Sequence, residues 1–221
     1  MMFSELDATV YKHNGVFYNA EFENILSKVI TCYNLMLIDK VILSNNENSI
    51  RDVLLINYLR SNTVRKEIEL TDYLFDREVP EDRSMGRTDI KIQTLNTFQD
   101  TSAYYTIECK RLDAINPLGV TGLNAKYIEN GICRFISNSY STYYKTNGMI
   151  GFVVESIDVH KNIASINTLL QTSFIQANTI QKITQRSIVA GFDFSYYSTH
   201  KIKSEEITIY HLMFDFSKNI Q

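Results

Sequence analysis

The sequence predicts an α/β (α+β) protein with a central mixed β-sheet of about five strands, flanked by helices. Two stretches with apolar residues at three- and four-residue steps, 20–43 and 123–137, predict amphipathic helices. Two stretches of alternating polar and apolar residues, 86–93 and 105–110, predict neighbouring strands. A chain of 221 residues is long enough for one well-buried domain, which we place over 1–221.

The N-terminal part of this domain, about 20–60, is predicted to be helical. Residues 10–18 are short and mixed and indicate a strand or a turn. The first helix is expected over 20–43, with a break near Asp39. Ser44, Asn45 and Asn46 then offer N-cap residues for a second helix over 47–60.

A strand near residues 66–70 and a charged loop over 76–84, which contains Pro80, precede the hairpin of about 86–112. The C-terminal part, about 123–217, begins with the helix over 123–137. An apolar run at 148–155 predicts a buried strand. Residues 156–188 are predicted to be mostly helical, and a last hairpin is expected from strands at 195–203 and 207–216.

The hairpin of about 86–112 carries the residues with the clearest chemistry. Its alternation places Asp89 on one strand, and Glu108 and Lys110 on the next, on one shared face. Two carboxylates converging from adjacent strands suit Mg²⁺, which binds oxygen ligands and keeps several waters. A lysine beside them can orient a water molecule at a phosphate. Cys109 points to the opposite face, as expected of a core residue.

Asp89 followed by Glu108-Cys109-Lys110 resembles the D…(D/E)-x-K signature of the PD-(D/E)XK nuclease superfamily, which has a restriction-endonuclease-like fold. Glu108 follows Asp89 by 19 residues, a spacing that suits the central hairpin of that family. The usual proline before the aspartate is Thr88 here, which lowers the specificity of the match. The resemblance covers most of the chain, from Glu47 to Glu155.

The resemblance implies a metal-dependent endonuclease that hydrolyses phosphodiester bonds in DNA, with RNA still open. It assigns the Mg²⁺, for which Mn²⁺ can substitute, to Asp89, Glu108 and the main-chain carbonyl of Cys109. Lys110 would orient or help activate the water. Glu47 is the best positional match for a further acidic ligand on the preceding helix, although the helix dipole also explains a glutamate there. Glu67 and Glu69 are alternatives to it.

The formal net charge of −3 provides no global basic field to attract nucleic acid. A nuclease of this composition must concentrate its cations on one surface or borrow affinity from a partner. Lys126, Asn130 and Arg134 form a row along the helix over 123–137. A solvated helix flank is the default explanation of such a row, but this helix lines the cleft in the resembling family. By analogy the protein would be an effector of a restriction or anti-phage defence system, acting with a partner protein or as a homodimer.

Two other interpretations remain open at this point. The chain could be a non-catalytic nucleic-acid-binding or assembly subunit that keeps the nuclease fold, or the acids and lysine could form a purely structural ion-pair cluster. His200 and His211 lie on the last hairpin, where histidines are more typically hydrogen-bonded structural residues. His200 could instead contact a phosphate or position the water.

No segment of the sequence is long and apolar enough to predict a membrane contact. The start of the chain lacks the features of a signal peptide, and three cysteines show no framework spacing, so we expect a cytoplasmic protein. No motif for a zinc ligand set, a redox pair or a phosphate-binding glycine loop is present, so no cofactor other than the metal is expected.

Overall fold

A seven-stranded mixed β-sheet is the centre of this computed structural model, which describes residues 14–80, 87–137 and 143–221. The strands are β1 (Leu74–Pro80), β2 (Arg87–Gln93), β3 (Tyr104–Leu112), β4 (Thr146–Val153), β5 (Thr179–Gln185), β6 (Ser195–Ile202) and β7 (Glu205–Asp215). Their order across the sheet is β1-β2-β3-β4-β7-β6-β5. The pairs β3–β4 and β4–β7 are parallel, and the other pairs are antiparallel.

Helical segments flank this sheet. The α-helices are α1 (Asn14–Ile38), α2 (Glu47–Asp52), α3 (Asn62–Glu67), α4 (Leu123–Tyr127), α5 (Cys133–Ile136) and α6 (Val159–Thr172). A π-helical segment, Val53–Leu59, continues α2, and another, Ile128–Ile132, joins α4 to α5. We call the continuous segment 123–136 the cleft helix. Short 3₁₀ turns occupy Leu95–Phe98 and Ile175–Ala177.

The apolar side chains separate into two clusters, one on each face of the sheet. The first joins α1 and α2 to one set of strand residues, including Ile107, Cys109 and Ile150. The second joins the cleft helix and α6 to the alternate set, including Met149 and Val153. Successive side chains of a strand point to opposite faces, so β4 contributes to both clusters and is buried along its whole length.

The prediction of a mixed sheet with flanking helices is confirmed, but the number of strands is seven rather than about five. One unpredicted strand is β5, where we expected the helical region 156–188 to continue. Asn178 adopts a left-handed conformation with φ of 47° and ends the helical path. The segment that follows it, TIQKITQ, contains β-branched residues that favour a strand.

The second unpredicted strand is β1, which occupies residues 76–80 of the expected loop over 76–84; residues 81–84 of that loop lie outside the described part. Pro80 ends β1, and β1 is an edge strand, where a missing N–H group is tolerated. The strand expected near 66–70 is also wrong. That region ends α3, whose Arg65, Lys66 and Glu67 are good helix formers.

The remaining predicted elements are present with shifted ends. The first helix runs over Asn14–Ile38, so the strand or turn expected at 10–18 is wrong for residues 14–18, and residues 10–13 lie outside the described part. The last hairpin is confirmed as β6 and β7. Within the described ranges, every helix is too short or too polar to cross a lipid bilayer.

Candidate active site

β2 and β3 bring Asp89, Glu108 and Lys110 together, as the alternating pattern predicts. The two strands pair with Ile90 opposite Ile107 and Ile92 opposite Tyr105, and these apolar side chains face the first core cluster. Glu108 and Lys110 point to the other face, where both are buried. The side chain of Cys109 is fully buried in the first core cluster, so its predicted core position is confirmed.

The ammonium group of Lys110 is the centre of the site. Its Nζ lies 2.7 Å from Oε1 of Glu108, 3.1 Å from Oε1 of Glu47 and 3.6 Å from Oδ2 of Asp89. It also donates a hydrogen bond of 2.5 Å to the carbonyl oxygen of Cys109. All three predicted acids and the predicted carbonyl therefore surround one cation.

Glu47 reaches this centre from the start of α2. The side chain of Asn46 accepts a hydrogen bond from the Ser49 N–H and caps the helix, so Glu47 falls in the first turn. Its second carboxylate oxygen accepts a 3.1 Å hydrogen bond from the main-chain N–H of Arg111. Glu47 thus bridges α2 and β3, whereas Glu67 and Glu69 are exposed residues outside the cleft.

Asp89 is held from two sides. Its Oδ2 accepts a 2.8 Å hydrogen bond from the main-chain N–H of Cys109, and its Oδ1 accepts a 2.9 Å bond from Nη1 of Arg51. The side chain of Arg51 is only 2% exposed, and its other nitrogens bond Asp52. The sequence analysis missed Arg51. Its position four residues after Glu47, on the same helix face, is the signal that points to it.

The cleft helix forms the opposite wall. A cleft of about 430 Å³ is lined by Asn46, Glu47, Asn48, Asp89, Glu108, Lys110, Arg111, Leu123, Lys126, Asn130 and Arg134. The predicted row of Lys126, Asn130 and Arg134 therefore borders the same space as the acids. Nη1 of Arg134 lies 3.3 Å from Oε1 of Glu108. Lys126 is exposed at the rim.

Gly131 allows the cleft helix to pack closely against the sheet. A Cβ atom at this position would lie 2.2 Å from Cε of Met149 on β4 and 3.8 Å from Cγ of Lys110. Since the helix sits this near to β3 and β4, the Arg134 guanidinium can reach the buried Glu108 carboxylate. The π-helical turn around Gly131 keeps all three residues of the row on the cleft side.

Opposing effects act on the charge of Lys110. Burial lowers its pKa, but the nearby carboxylates of Glu108, Asp89 and Glu47 raise it by more, so the net pKa shift is upward. Lys110 is therefore an ammonium ion at neutral pH. It can donate hydrogen bonds and balance negative charge, and it cannot serve as a base in this arrangement.

His200 and His211 lie outside this cleft, in a buried hydrogen-bonded chain beneath the cleft helix. Nδ1 of His200 bonds the carbonyl of Ala177, which can only accept, so Nδ1 carries the proton. The hydroxyl of Ser198 must then donate to Nε2 of His200 and accept from Nε2 of His211. The Tyr127 hydroxyl donates to Nδ1 of His211. Burial lowers the pKa of His200 and of His211, so both are neutral structural residues at neutral pH.

No protein-family model, curated protein or solved structure matches the chain. Within residues 14–80, 87–137 and 143–221, no three or more His, Cys, Asp or Glu side chains are arranged to hold a metal ion. The acids of the cleft are instead arranged around Lys110. The geometry therefore consists of an acidic centre with an enclosed ammonium and a flanking wall of cations.

Proposed function

We propose that the chain is a metal-dependent nuclease with a restriction-endonuclease-like fold, which hydrolyses phosphodiester bonds in DNA. The observation that supports it is the convergence of Asp89, Glu108, Lys110 and Glu47 in one cleft, beside the row of Lys126, Asn130 and Arg134. These residues come from separate parts of the sequence. A cleft that combines carboxylates, a lysine and outlying cations suits a metal ion and a phosphate backbone.

The donor groups fit Mg²⁺ in their chemistry. Asp89, Glu108, Glu47 and the Cys109 carbonyl provide only oxygen atoms, which are the ligands that Mg²⁺ and Mn²⁺ prefer. The same oxygens already surround one cation, the Lys110 ammonium, at 2.5 to 3.6 Å. A bound divalent ion would lower the pKa of a water molecule and neutralise charge on the phosphoryl group.

Each side chain has a separate part in the proposed reaction. Asp89 and Glu108 would hold the metal, together with the main-chain carbonyl of Cys109, the residue after Glu108. Lys110 donates to the attacking water or to a phosphate oxygen and so fixes its direction of approach. Arg51 and the Cys109 N–H keep the Asp89 carboxylate in one orientation. Glu47 adds an outer oxygen ligand.

Lys126 and Arg134 would contact the nucleic-acid backbone along one wall of the cleft. Both line the cleft, and contacts of this kind position a polyanion without reading its sequence. Because the whole chain has a net charge of −3, affinity has to come from such a local cationic surface or from a partner. We propose that the biological setting is a defence system in which a partner protein or a second copy supplies further contacts.

One observation favours the rival function, a non-catalytic nucleic-acid-binding subunit. The carboxylates of Glu108 and Asp89 already contact Lys110, Arg134 and Arg51, which is how a structural ion-pair cluster is built. The two proposals differ in one property, because only the nuclease requires a divalent metal for turnover.

The first test is cleavage of duplex DNA, single-stranded DNA and RNA with Mg²⁺, Mn²⁺ or a chelator. We expect cleavage that the chelator abolishes. Asp89→Asn and Glu108→Gln should each reduce turnover by at least about a hundredfold, because a lost metal ligand costs several kcal/mol of transition-state stabilisation. Glu205→Gln is the matched control, since Glu205 pairs with Lys145 on the exposed surface.

Wild-type turnover in a pure and folded Asp89→Asn or Glu108→Gln protein would refute the assignment of the site. Binding of nucleic acid without metal-dependent cleavage of any of the three substrates would establish the rival function. Circular dichroism of each variant shows whether a lost activity reflects the site or a loss of folding.

A further inference from the structure

The three acids of the cleft are matched by three cations of the protein itself. Lys110 contacts Glu108 at 2.7 Å and Glu47 at 3.1 Å. Nη1 of Arg51 contacts Asp89 at 2.9 Å, and Nη1 of Arg134 lies 3.3 Å from Glu108. A divalent cation approaching these acids meets groups that are already in ion pairs, and each acid is paired with a buried cation, Lys110 or Arg51.

Lys110 overlaps with the proposed metal most directly. Its ammonium contacts or faces every oxygen donor that the proposed function assigns to Mg²⁺, including the carbonyl of Cys109. Mg²⁺ binds such oxygens at about 2.0 to 2.1 Å. An ammonium at hydrogen-bond distance from the same atoms cannot stay there, because the two like charges would lie within a few ångströms of each other in a buried site.

When the metal displaces the ammonium of Lys110, the positive charge of the lysine needs a new negative partner. The metal replaces one positive charge with two at the carboxylates, and Lys110, on a flexible four-carbon stem, turns its charge towards the cleft. Arg134 and the exposed Lys126 already contribute positive charge to that cleft. A phosphodiester backbone provides the negative charge that compensates both the metal and the released lysine.

We propose that Lys110 acts as a tethered competitor of the divalent metal, so that metal binds this site strongly only together with nucleic acid. This inference depends on the proposed function, because it concerns the same metal and the same substrate class. Lys110 changes partners in the process, from the three carboxylates to a phosphate oxygen or the attacking water. The metal centre is therefore complete when nucleic acid is bound and incomplete in the free protein.

Binding free energies are reciprocal, so the coupling can be measured from either side. If nucleic acid strengthens metal binding by a given factor, the metal strengthens nucleic-acid binding by the same factor. Couplings of this kind are commonly about 5- to 150-fold in affinity. Lys110→Met removes the competing charge and keeps most of the side-chain volume, so it should remove the part of the coupling that comes from displacing the lysine.

The experiment measures Mn²⁺ binding by electron paramagnetic resonance, with and without a short phosphorothioate duplex that resists cleavage. Mn²⁺ bound by the duplex alone is subtracted. We expect weak binding to the wild type alone, about tenfold or greater strengthening with the duplex, and about tenfold tighter binding to Lys110→Met alone. Lys161→Met is the control, because Lys161 pairs with Asp158 on an exposed helix face, and its Mn²⁺ affinity should equal that of the wild type.

The reciprocal measurement is the affinity of the duplex, by fluorescence anisotropy, with and without Ca²⁺. Equal Mn²⁺ affinity of the wild type with and without duplex would overturn the proposal, and so would an unchanged Mn²⁺ affinity in folded Lys110→Met. If Lys110→Met does not fold, the Mn²⁺ affinities of the wild type with and without duplex are sufficient to test the proposal. Absence of metal-dependent cleavage would refute the nuclease, a result separate from these binding measurements.

Discussion

Arg51 is the residue on which the geometry of the acidic centre depends most. It is almost completely buried, and its guanidinium bonds Asp52 through Nε and Nη2 and Asp89 through Nη1. A planar fork of donors is needed to hold two carboxylates at fixed angles, and a lysine cannot provide it. In the proposed reaction Arg51 would act through Asp89, to which it is hydrogen-bonded, so we propose a positioning role for it.

We therefore expect Arg51→Lys to keep the positive charge but lose the fixed orientation of Asp89. Loss of buried hydrogen bonds should lower the free energy of unfolding by about 1–3 kcal/mol. Turnover should fall with little change in KM, because the substrate contacts remain. Urea denaturation and steady-state kinetics measure the two effects.

Arg77→Lys is the matched control for that variant. Arg77 bonds the outer oxygen of the same Asp52 at 2.7 Å but is 45% exposed, so the change should cost less than about 1 kcal/mol. Equal effects of the two substitutions on turnover would contradict the positioning role of Arg51.

The elements of this protein could be predicted to the extent that their pattern is local. The strands of Asp89 and Glu108 were predictable because a hairpin needs only alternation and a polar connection. β5 was not predictable in this way. Most of its side chains are exposed and it follows a helical region, so its strand conformation is defined by its pairing with β6. β1 and β5 are the two edge strands of the sheet, and each pairs with one neighbour only, β1 with β2 and β5 with β6.

The residues of the candidate site that lie on the hairpin were predictable from the same local alternation. The prediction of the whole site was incomplete. Asp89, Glu108 and Lys110 share one face by strand periodicity alone. Glu47 and the row of Lys126 and Arg134 could be placed only through the resemblance to nucleases. Arg51 was missed because a buried arginine is identified by its ion-pair partners, and these become visible only in three dimensions.

The cleft helix is the element that we expect to contact the phosphate backbone. Lys126→Ala combined with Arg134→Ala should weaken binding to unrelated DNA sequences alike. Each neutralised phosphate contributes about −0.9 to the slope of log affinity against log salt, so losing two contacts should flatten it by up to about 1.8. The measurement is DNA affinity across salt concentrations without catalytic metal.

Lys145→Ala combined with Lys161→Ala is the control for that experiment, because both lysines form exposed ion pairs away from the cleft. An unchanged slope in the folded cleft-helix variant would assign Lys126 and Arg134 to ordinary solvated surface. The search for phosphate contacts would then move to Lys182, Arg186, Lys201 and Lys203.

At the scale of the whole molecule, the buried histidines link stability to pH. Burial lowers the pKa of His200 from 6.5 to about 4, and burial also lowers the pKa of His211. Between pH 6.5 and pH 4 the unfolded state therefore binds protons that the folded state does not. Stability should be fully present above pH 6.5 and decrease as the pH falls, by about 3 kcal/mol for His200 at pH 4.

Urea denaturation at a series of pH values from 7 to about 4.5 measures this loss of stability. The imidazole proton resonances of His200 and His211 distinguish it from the titration of carboxylates. Titration of both imidazoles near pH 6.5 in the folded protein would show that the chain from Tyr127 to Ala177 is not closed to water.

The parallel pairing on both sides of β4 has a consequence for the order in which the chain folds. β2 and β3 are joined by a short connection, whereas β4 must pair with β3 across the cleft helix and with β7 after three further elements. Pairing of distant segments is slow because a long loop has to close first. During synthesis the acidic hairpin can therefore form early, while the wall that carries Lys126 and Arg134 docks only when β4 is in place. A partly synthesised chain would then present the carboxylates of Asp89 and Glu108 before Arg134 is in position to pair with Glu108.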